Sequence, residues 1–333
     1  MKRAFHIAVA LSILIHVQAA CAPVVMPAGA AVTESALSGD AITTADGARL
    51  PLKSWLPPAG QPQAVIIALH GFNDYSNFFN NAGTNFAQHG VASYAYDQRG
   101  FGGAPNRGVW PGEATLADDL RQAAQVIAKR HPGRPLFILG ESMGGAVAML
   151  AAAGHEPPIA DGLILSAPAV WGRASIPWYQ NVALWVAAHT VPQGRVTGRG
   201  LGIRASDNTP MLEALGRDPM VIKDTRIDAV FGLVGLMDAA MAAAQAIDRP
   251  TLVLWGRNDQ LIPEGVIREL LAHLPEETAK SSRAVFYHNG WHMLLRDLQA
   301  EVVFRDILSW LKRPAQALPS GEDQPAAAIA ERG

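Results

Sequence analysis

Leu136-Phe137-Ile138-Leu139-Gly140-Glu141-Ser142-Met143-Gly144-Gly145 is an apolar run that breaks into a serine flanked by glycines, and a helix-forming stretch follows to Ala153. A strand, then G-x-S-x-G, then a helix predicts a strained turn that lifts the serine hydroxyl above a sheet edge. Glycine is needed two residues to either side because a side chain at either place would collide with neighbouring backbone. The five-residue pattern alone is common; its strand and helix flanks make it specific.

Outward from this turn, Ala64 to Leu69, Val91 to Tyr96, Gly162 to Leu165, Thr251 to Trp255 and Ala284 to Tyr287 are further short, apolar, β-rich runs. Helical stretches lie between them, at about Asn77 to Gln88, Glu113 to Arg130, Met143 to Ala153, Glu264 to Ala272 and Leu295 to Leu311, with Pro263 placed as a first-turn proline. Continuous apolar strands alternating with helices predict the α/β class: a mostly parallel central sheet with helices on both faces. Ala41 to Thr44 and Arg49 to Trp55 read as a hairpin around Asp46-Gly47. Roughly 80 residues separate the strand ending near Ser166 from the one starting near Thr251, too many for a crossover, so an inserted helical cap is expected at about 170–247.

A serine hydroxyl is a poor nucleophile at neutral pH and needs a base, which in turn needs an orienting carboxylate. Asp259, in Gly256-Arg257-Asn258-Asp259, follows one strand and His292, in Gly290-Trp291-His292, follows the next. Ser142, Asp259, His292 is the chain order that this turn motif requires. Asp259 read blandly is a helix-capping carboxylate. His288 competes with His292, but it sits at the strand end, where packing is expected to hold it. His288 and His292 are spaced i, i+4 like a zinc motif, yet Asn289-Gly290 between them supplies neither glutamate nor helix, so no metal site is expected.

The backbone N–H groups of Phe72, in His70-Gly71-Phe72, and of Met143 are the candidate oxyanion donors, each worth about 10²–10³ in rate in enzymes where such donors have been removed. Asp97-Gln98-Arg99-Gly100-Phe101-Gly102 reads as a supporting loop. All these segments follow the carboxyl ends of strands, the edge where open α/β sheets bind ligands; Asp161 precedes its strand and is set aside as the acid. Gly198-Arg199-Gly200-Leu201-Gly202 follows no strand, so no dinucleotide fingerprint and no cofactor is implied.

His70-Gly71, Asp97 to Gly102, Gly140 to Gly145, Asn258-Asp259 and His292-Met293 together resemble the α/β-hydrolase superfamily, in particular its monoacylglycerol lipase and lysophospholipase-like branch, over about Asp40 to Leu311. The resemblance implies ester hydrolysis through an acyl-enzyme with Ser142 as nucleophile, Asp259 as acid and His292 as base. Phe72-Asn73-Asp74-Tyr75 and Glu141, where many members carry histidine, depart from the family pattern and leave the substrate open. An aminopeptidase or amidase with the same triad is the second reading, and a non-catalytic lipidated binding protein the third.

In the cap, Trp171, Trp178 and Trp185 recur every seven residues, as on one helix face, and Phe231, Leu233, Leu236, Met237 and Met241 form a second apolar segment. They are candidates to line an acyl-chain channel or touch lipid; packing of the cap against the body explains them equally well.

The 333 residues are 49% hydrophobic and 17% charged, which excludes a disordered chain, and 27 basic against 29 acidic residues leave −2 with no basic cluster, so nucleic acid is not an expected partner. Lys2 and Arg3, the apolar run Ala4 to Val17 and small Ala19-Ala20 read as a signal peptide over 1–20. No later stretch is read as approaching the roughly 20 apolar residues of a membrane span. Cys21 is the chain's single cysteine, so an internal disulfide is excluded, and it stands where a bacterial lipobox places its acylated residue, although Gln18 departs from that pattern. The expectation is an exported protein, periplasmic or anchored to a bacterial membrane through lipid on Cys21. Residues 21–39 are expected to be a flexible tether, 40–312 the folded domain and 313–333 a loose tail.

Overall fold

The computed structural model describes residues 22–153, 160–200 and 202–330. The expected signal peptide over 1–20 and Cys21 lie outside the described residues. A ten-stranded sheet forms the centre, from β1 (Ala36–Ser38), β2 (Ala41–Thr43), β3 (Arg49–Trp55), β4 (Ala64–Leu69), β5 (Val91–Tyr96), β6 (Leu136–Glu141), β7 (Gly162–Ser166), β10 (Thr251–Gly256), β11 (Arg283–Tyr287) and β12 (Asp323–Pro325). Their spatial order is β1-β2-β3-β5-β4-β6-β7-β10-β11-β12. Every pair from β5 to β11 is parallel; the hairpin strands at one edge and β12 at the other are antiparallel. All six residues of each of β4, β5, β6 and β10 are buried, which is why these strands carry no polar alternation.

Helices α1 (Asn80–Gln88), α2 (Glu113–Arg130) and α3 (Met143–Ala152) follow β4, β5 and β6. On α2, Leu116, Leu120, Ala123, Ala124 and Ile127 are buried at helical spacing, and they share a core with α3 on one face of the sheet. The other face is covered by α1 and by the later helix Ala300–Lys312, where Phe304, Ile307, Trp310 and Leu311 are buried. The helix Ala300–Lys312 begins five residues later than the sequence suggests, because residues 292–299 are held in turns around the site.

The cap contains α4 (Trp178–Thr190), a two-stranded ribbon of β8 (Arg195–Val196) and β9 (Thr225–Arg226), α5 (Thr209–Arg217) and α6 (Ile227–Ala243). By length and composition Ile227–Ala246 is apolar enough to cross a membrane, with a mean hydropathy of 1.7, which the sequence reading did not recognise. In this fold it packs on α3, burying Val234, Leu236 and Ala240.

Two segments differ from expectation. Within the supposed tether, β1 joins the sheet, the Met26 amide donates to the Trp110 carbonyl at 2.9 Å and the Val24 amide to Asp228 at 3.2 Å. Most of its side chains remain exposed, so docking through backbone groups left no hydrophobic period to read. Within the supposed loose tail, β12 pairs with β11, Asp323 forms an ion pair with Arg283, and Ala326 and Ile329 are buried against the body. The remaining α-helices among the described residues are α7 (Glu264–His273), α8 (Glu276–Ser281), α9 (Ala300–Lys312) and α10 (Ala326–Ala330).

Candidate active site

Ser142 occupies the turn between β6 and α3 at φ 53°, ψ −115°, a conformation that costs a residue with a side chain about 1–3 kcal/mol. The chain has no room to relax elsewhere. A Cβ at Gly140 would lie 2.3 Å from the Gly144 carbonyl oxygen, and one at Gly144 would lie 2.3 Å from that of Leu69. The Ser142 amide donates to Ser166 at 2.9 Å and its carbonyl accepts from Ala169 at 2.9 Å, which ties the turn to the end of β7. The side chain stays partly exposed and reachable.

The loops after β10 and β11 interlock. A Cβ at Gly256 would meet the Gly290 carbonyl carbon at 2.3 Å, and the Asn258 amide donates to the Gly290 carbonyl at 2.9 Å. This contact brings Asp259 Oδ2 to 2.9 Å from His292 Nδ1, while Asp259 Oδ1 accepts from the amides of Leu261 at 2.7 Å and Ile262 at 3.0 Å. Both side chains are buried. Burial disfavours the imidazolium, but the hydrogen bond and charge of Asp259, with help from Glu141, outweigh it and raise the His292 pKa above the usual histidine value. Ser142 and His292 make no hydrogen bond to each other here; such contacts often tighten only when substrate is bound.

The turn expected to supply an oxyanion donor follows β4, whose Leu69 lies beside Gly140 of β6 in the sheet. A Cβ at Gly71 would sit 3.4 Å from that of Ser142, so the turn passes directly against the serine. His70 Nε2 accepts from the Gln98 amide at 3.0 Å, which leaves Nδ1 to donate to the Gly71 carbonyl at 2.8 Å. Burial lowers the His70 pKa, so the ring holds the turn as a neutral group. The Met143 amide is in the first turn of α3, where no intrahelical acceptor exists.

In the loop after β5, Asp97 accepts from the amides of Ser76 at 2.9 Å and Gly103 at 2.8 Å, and Arg99 pairs with Asp46 at 2.8 Å and Asp119 at 2.9 Å. Asp161 accepts from the Leu136 amide at 2.7 Å, at the opposite edge of the sheet. His288 is exposed, not held by packing; its amide donates to Glu322. Among the described residues no cluster of three His, Cys, Asp or Glu side chains is arranged to hold a metal.

The three cap tryptophans do not form one face. Trp171 precedes α4, packs partly buried against the core and donates to the Ser175 carbonyl at 3.2 Å. Trp178 and Trp185 are on α4 but 76% and 55% exposed, so they point outward and do not line an interior channel. Trp185 stacks on His189 and borders a surface pocket of about 330 Å³ with Arg173, Val182, Leu184 and Phe231.

Sequence reasoning missed Asp297 and Arg296. Asp297 accepts from Ser206 of the cap at 2.6 Å and from the Trp291 amide at 2.8 Å, so it fixes the residue preceding His292; burial raises its pKa to about 6. Arg296 pairs with Asp74 at 2.7 Å and Glu141 at 2.6 Å. The visible signal was two charged residues inside the apolar run Met293 to Leu298.

A parallel sheet with a strained serine turn and an Asp–His pair at its carboxyl edge defines an α/β-hydrolase. Residues 60–299 match the family described as serine aminopeptidase, S33, and the chain belongs to that family. It is 25% identical to a monoacylglycerol lipase of Mycolicibacterium smegmatis, over 80% of this chain and 93% of that one, and 27% identical to the human monoglyceride lipase, over 82% and 89%. Among solved structures, a soluble variant of Saccharomyces cerevisiae monoglyceride lipase in complex with a substrate analogue superposes with a TM-score of 0.70 at 20% identity, covering 89% of this chain and 99% of that one.

Proposed function

We propose that the chain is a serine carboxylic-ester hydrolase that cleaves monoacylglycerols or lysophospholipids through an acyl-enzyme. The observation that carries this reading is the buried Asp259–His292 pair beside a strained, accessible Ser142. His292 Nε2 takes the hydroxyl proton as Ser142 Oγ attacks the ester carbonyl, and Asp259 stabilises the imidazolium. The amides of Phe72 and Met143 receive the oxyanion. The proton then passes to the leaving alcohol, and water repeats the attack on the acyl-serine.

Likeness to monoacylglycerol lipases over most of both chains supports a lipid ester. So does α4, which turns Trp178, Tyr179, Val182, Trp185 and Val186 to the outside, a suitable face for meeting lipid aggregates. The family description favours an aminopeptidase as the second reading. Against it, Asp74 and Glu141, acidic side chains on the turn after β4 and immediately before Ser142, are each paired with the Arg296 guanidinium. Parallel turnover of monoacylglycerols and aminoacyl anilides separates the two: ester turnover is expected, and a preference for anilides would overturn the substrate class.

The sequence of residues 1–21 supports export with acylation of Cys21. Mass spectrometry of the mature N-terminus is expected to show a lipid-modified Cys21; an unmodified terminus cut elsewhere would contradict it.

A further inference from the structure

One cation and two anions are enclosed where the three site loops meet. The buried guanidinium of Arg296 donates from Nη1 to Asp74 Oδ2 at 2.7 Å and from Nη2 to Glu141 Oε1 at 2.6 Å. Phe78 covers it, with its ring centre 5.8 Å away. Each member is one short step from a reacting group. Glu141 immediately precedes Ser142. Asp74 closes the oxyanion turn, its amide donating to the Gly71 carbonyl at 3.2 Å. Arg296 is four residues beyond His292, in a turn closed by its amide on the Met293 carbonyl at 2.8 Å.

As a mere fastener this arrangement is costly. Burying an ion pair removes hydration that the pairing often fails to restore, and apolar side chains of the same volume usually hold a core at least as well. Here Arg296 Nε and Glu141 Oε2 are buried without a partner among the described residues. Two carboxylates share one guanidinium beside the base; burial pushes the Glu141 pKa up, and the charge and hydrogen bond of Arg296 oppose that rise.

We propose that Arg296, Asp74 and Glu141 form a positioning clamp for the hydrolytic reaction: it holds the oxyanion turn and the His292 loop in register with Ser142, and the charge of Glu141 stabilises the imidazolium as it forms. The proposal rests on the assignment of Ser142 and His292 above. The charged groups that face His292 are Asp259 from the loop after β10, Glu141 from the end of β6 and Arg296 from its own loop; the two carboxylates favour the protonated ring and Arg296 opposes it. Asp74 acts on the clamp through Arg296. These are positioning residues, since none is placed on the substrate.

The test is the pH profile of kcat/KM, with kcat and KM resolved, for Glu141→Gln, Asp74→Asn, Arg296→Lys and Arg296→Met, each checked for folding by thermal melting and for a competent site by fluorophosphonate labelling. Glu141→Gln is expected to lower kcat about 10- to 100-fold with little change in KM, and to move the acidic limb to lower pH. Asp74→Asn is expected to lower kcat while leaving that limb in place. Arg296→Lys, which can still pair with a carboxylate, is expected to keep more activity than Arg296→Met. A folded Glu141→Gln with wild-type kcat and an unmoved limb would overturn the clamp, as would an Arg296→Met variant equal to wild type. If Arg296→Met does not fold, the isosteric Glu141→Gln still decides. Wild type that does not label at Ser142 removes the underlying assignment; wild type that labels, with all four variants labelling at its rate, removes the clamp alone.

Discussion

His292 Nδ1 and Asp259 Oδ2 stand 2.9 Å apart although 33 residues separate them in the chain. The contact follows from β10 and β11 being parallel neighbours: their loops leave the same sheet edge side by side, and glycines at 256 and 290 let the two backbones touch. The two amides on Asp259 Oδ1 fix the carboxylate before any substrate arrives.

The pH dependence follows from this pair. Catalysis needs a neutral imidazole, and Asp259 raises the His292 pKa against the opposing effect of burial. Activity is therefore expected to be full above that raised pKa and to fall as pH drops through it, with the kcat/KM midpoint above 6.5. Asp259→Asn should move the midpoint downward and reduce kcat by about 10⁴. A midpoint unmoved in the folded variant would contradict the pairing.

The serine turn stores strain that glycine would release. Ser142→Gly should raise thermal stability by roughly 1 kcal/mol, since only glycine adopts φ 53°, ψ −115° freely, while abolishing turnover. Gly144→Ala should do the reverse and cost several kcal/mol, or about 3, because its Cβ would overlap the Leu69 carbonyl at 2.3 Å. Melting curves of the two variants are the measurement; equal shifts in the same direction would be inconsistent with the turn geometry.

The outward tryptophans make a separable prediction. Replacing Trp178 and Trp185 with serine should reduce hydrolysis of monoacylglycerol presented in vesicles and spare a short, water-soluble ester, because both rings are exposed on the outer face of α4. Equal loss on both substrates would instead assign them to cap folding.

Arg99 offers a stability test. It is buried between Asp46 in the β2–β3 turn and Asp119 on α2. Arg99→Met leaves two carboxylates without their cation and should cost about 3–5 kcal/mol, read as a lowered Tm. An unchanged Tm would mean the pairing is not used.

The parallel strands were legible because complete burial writes itself as unbroken apolar runs, as in Ala64 to Leu69 and Leu136 to Leu139. Ser142, Asp259 and His292 were legible because each follows such a run, and the glycines around Ser142 record backbone collisions that the fold realises. The flanks were not. Residues 22–35 dock through amides such as those of Val24 and Met26, and Asp323 holds the C-terminal strand through an ion pair with Arg283; neither leaves a side-chain period. The Asp74–Arg296–Glu141 clamp joins residues up to 222 positions apart, which no local pattern encodes. The seven-residue tryptophan repeat misled because a loop, not helix, surrounds Trp171.

The most direct measurement is reaction of the full-length protein with a fluorophosphonate, followed by peptide mapping and assay of monoacylglycerol hydrolysis. One adduct per chain, on Ser142, with activity lost in proportion and neither labelling nor turnover in His292→Ala, is the expected result. Undiminished turnover with Ser142 unmodified, or in Ser142→Ala, would contradict it.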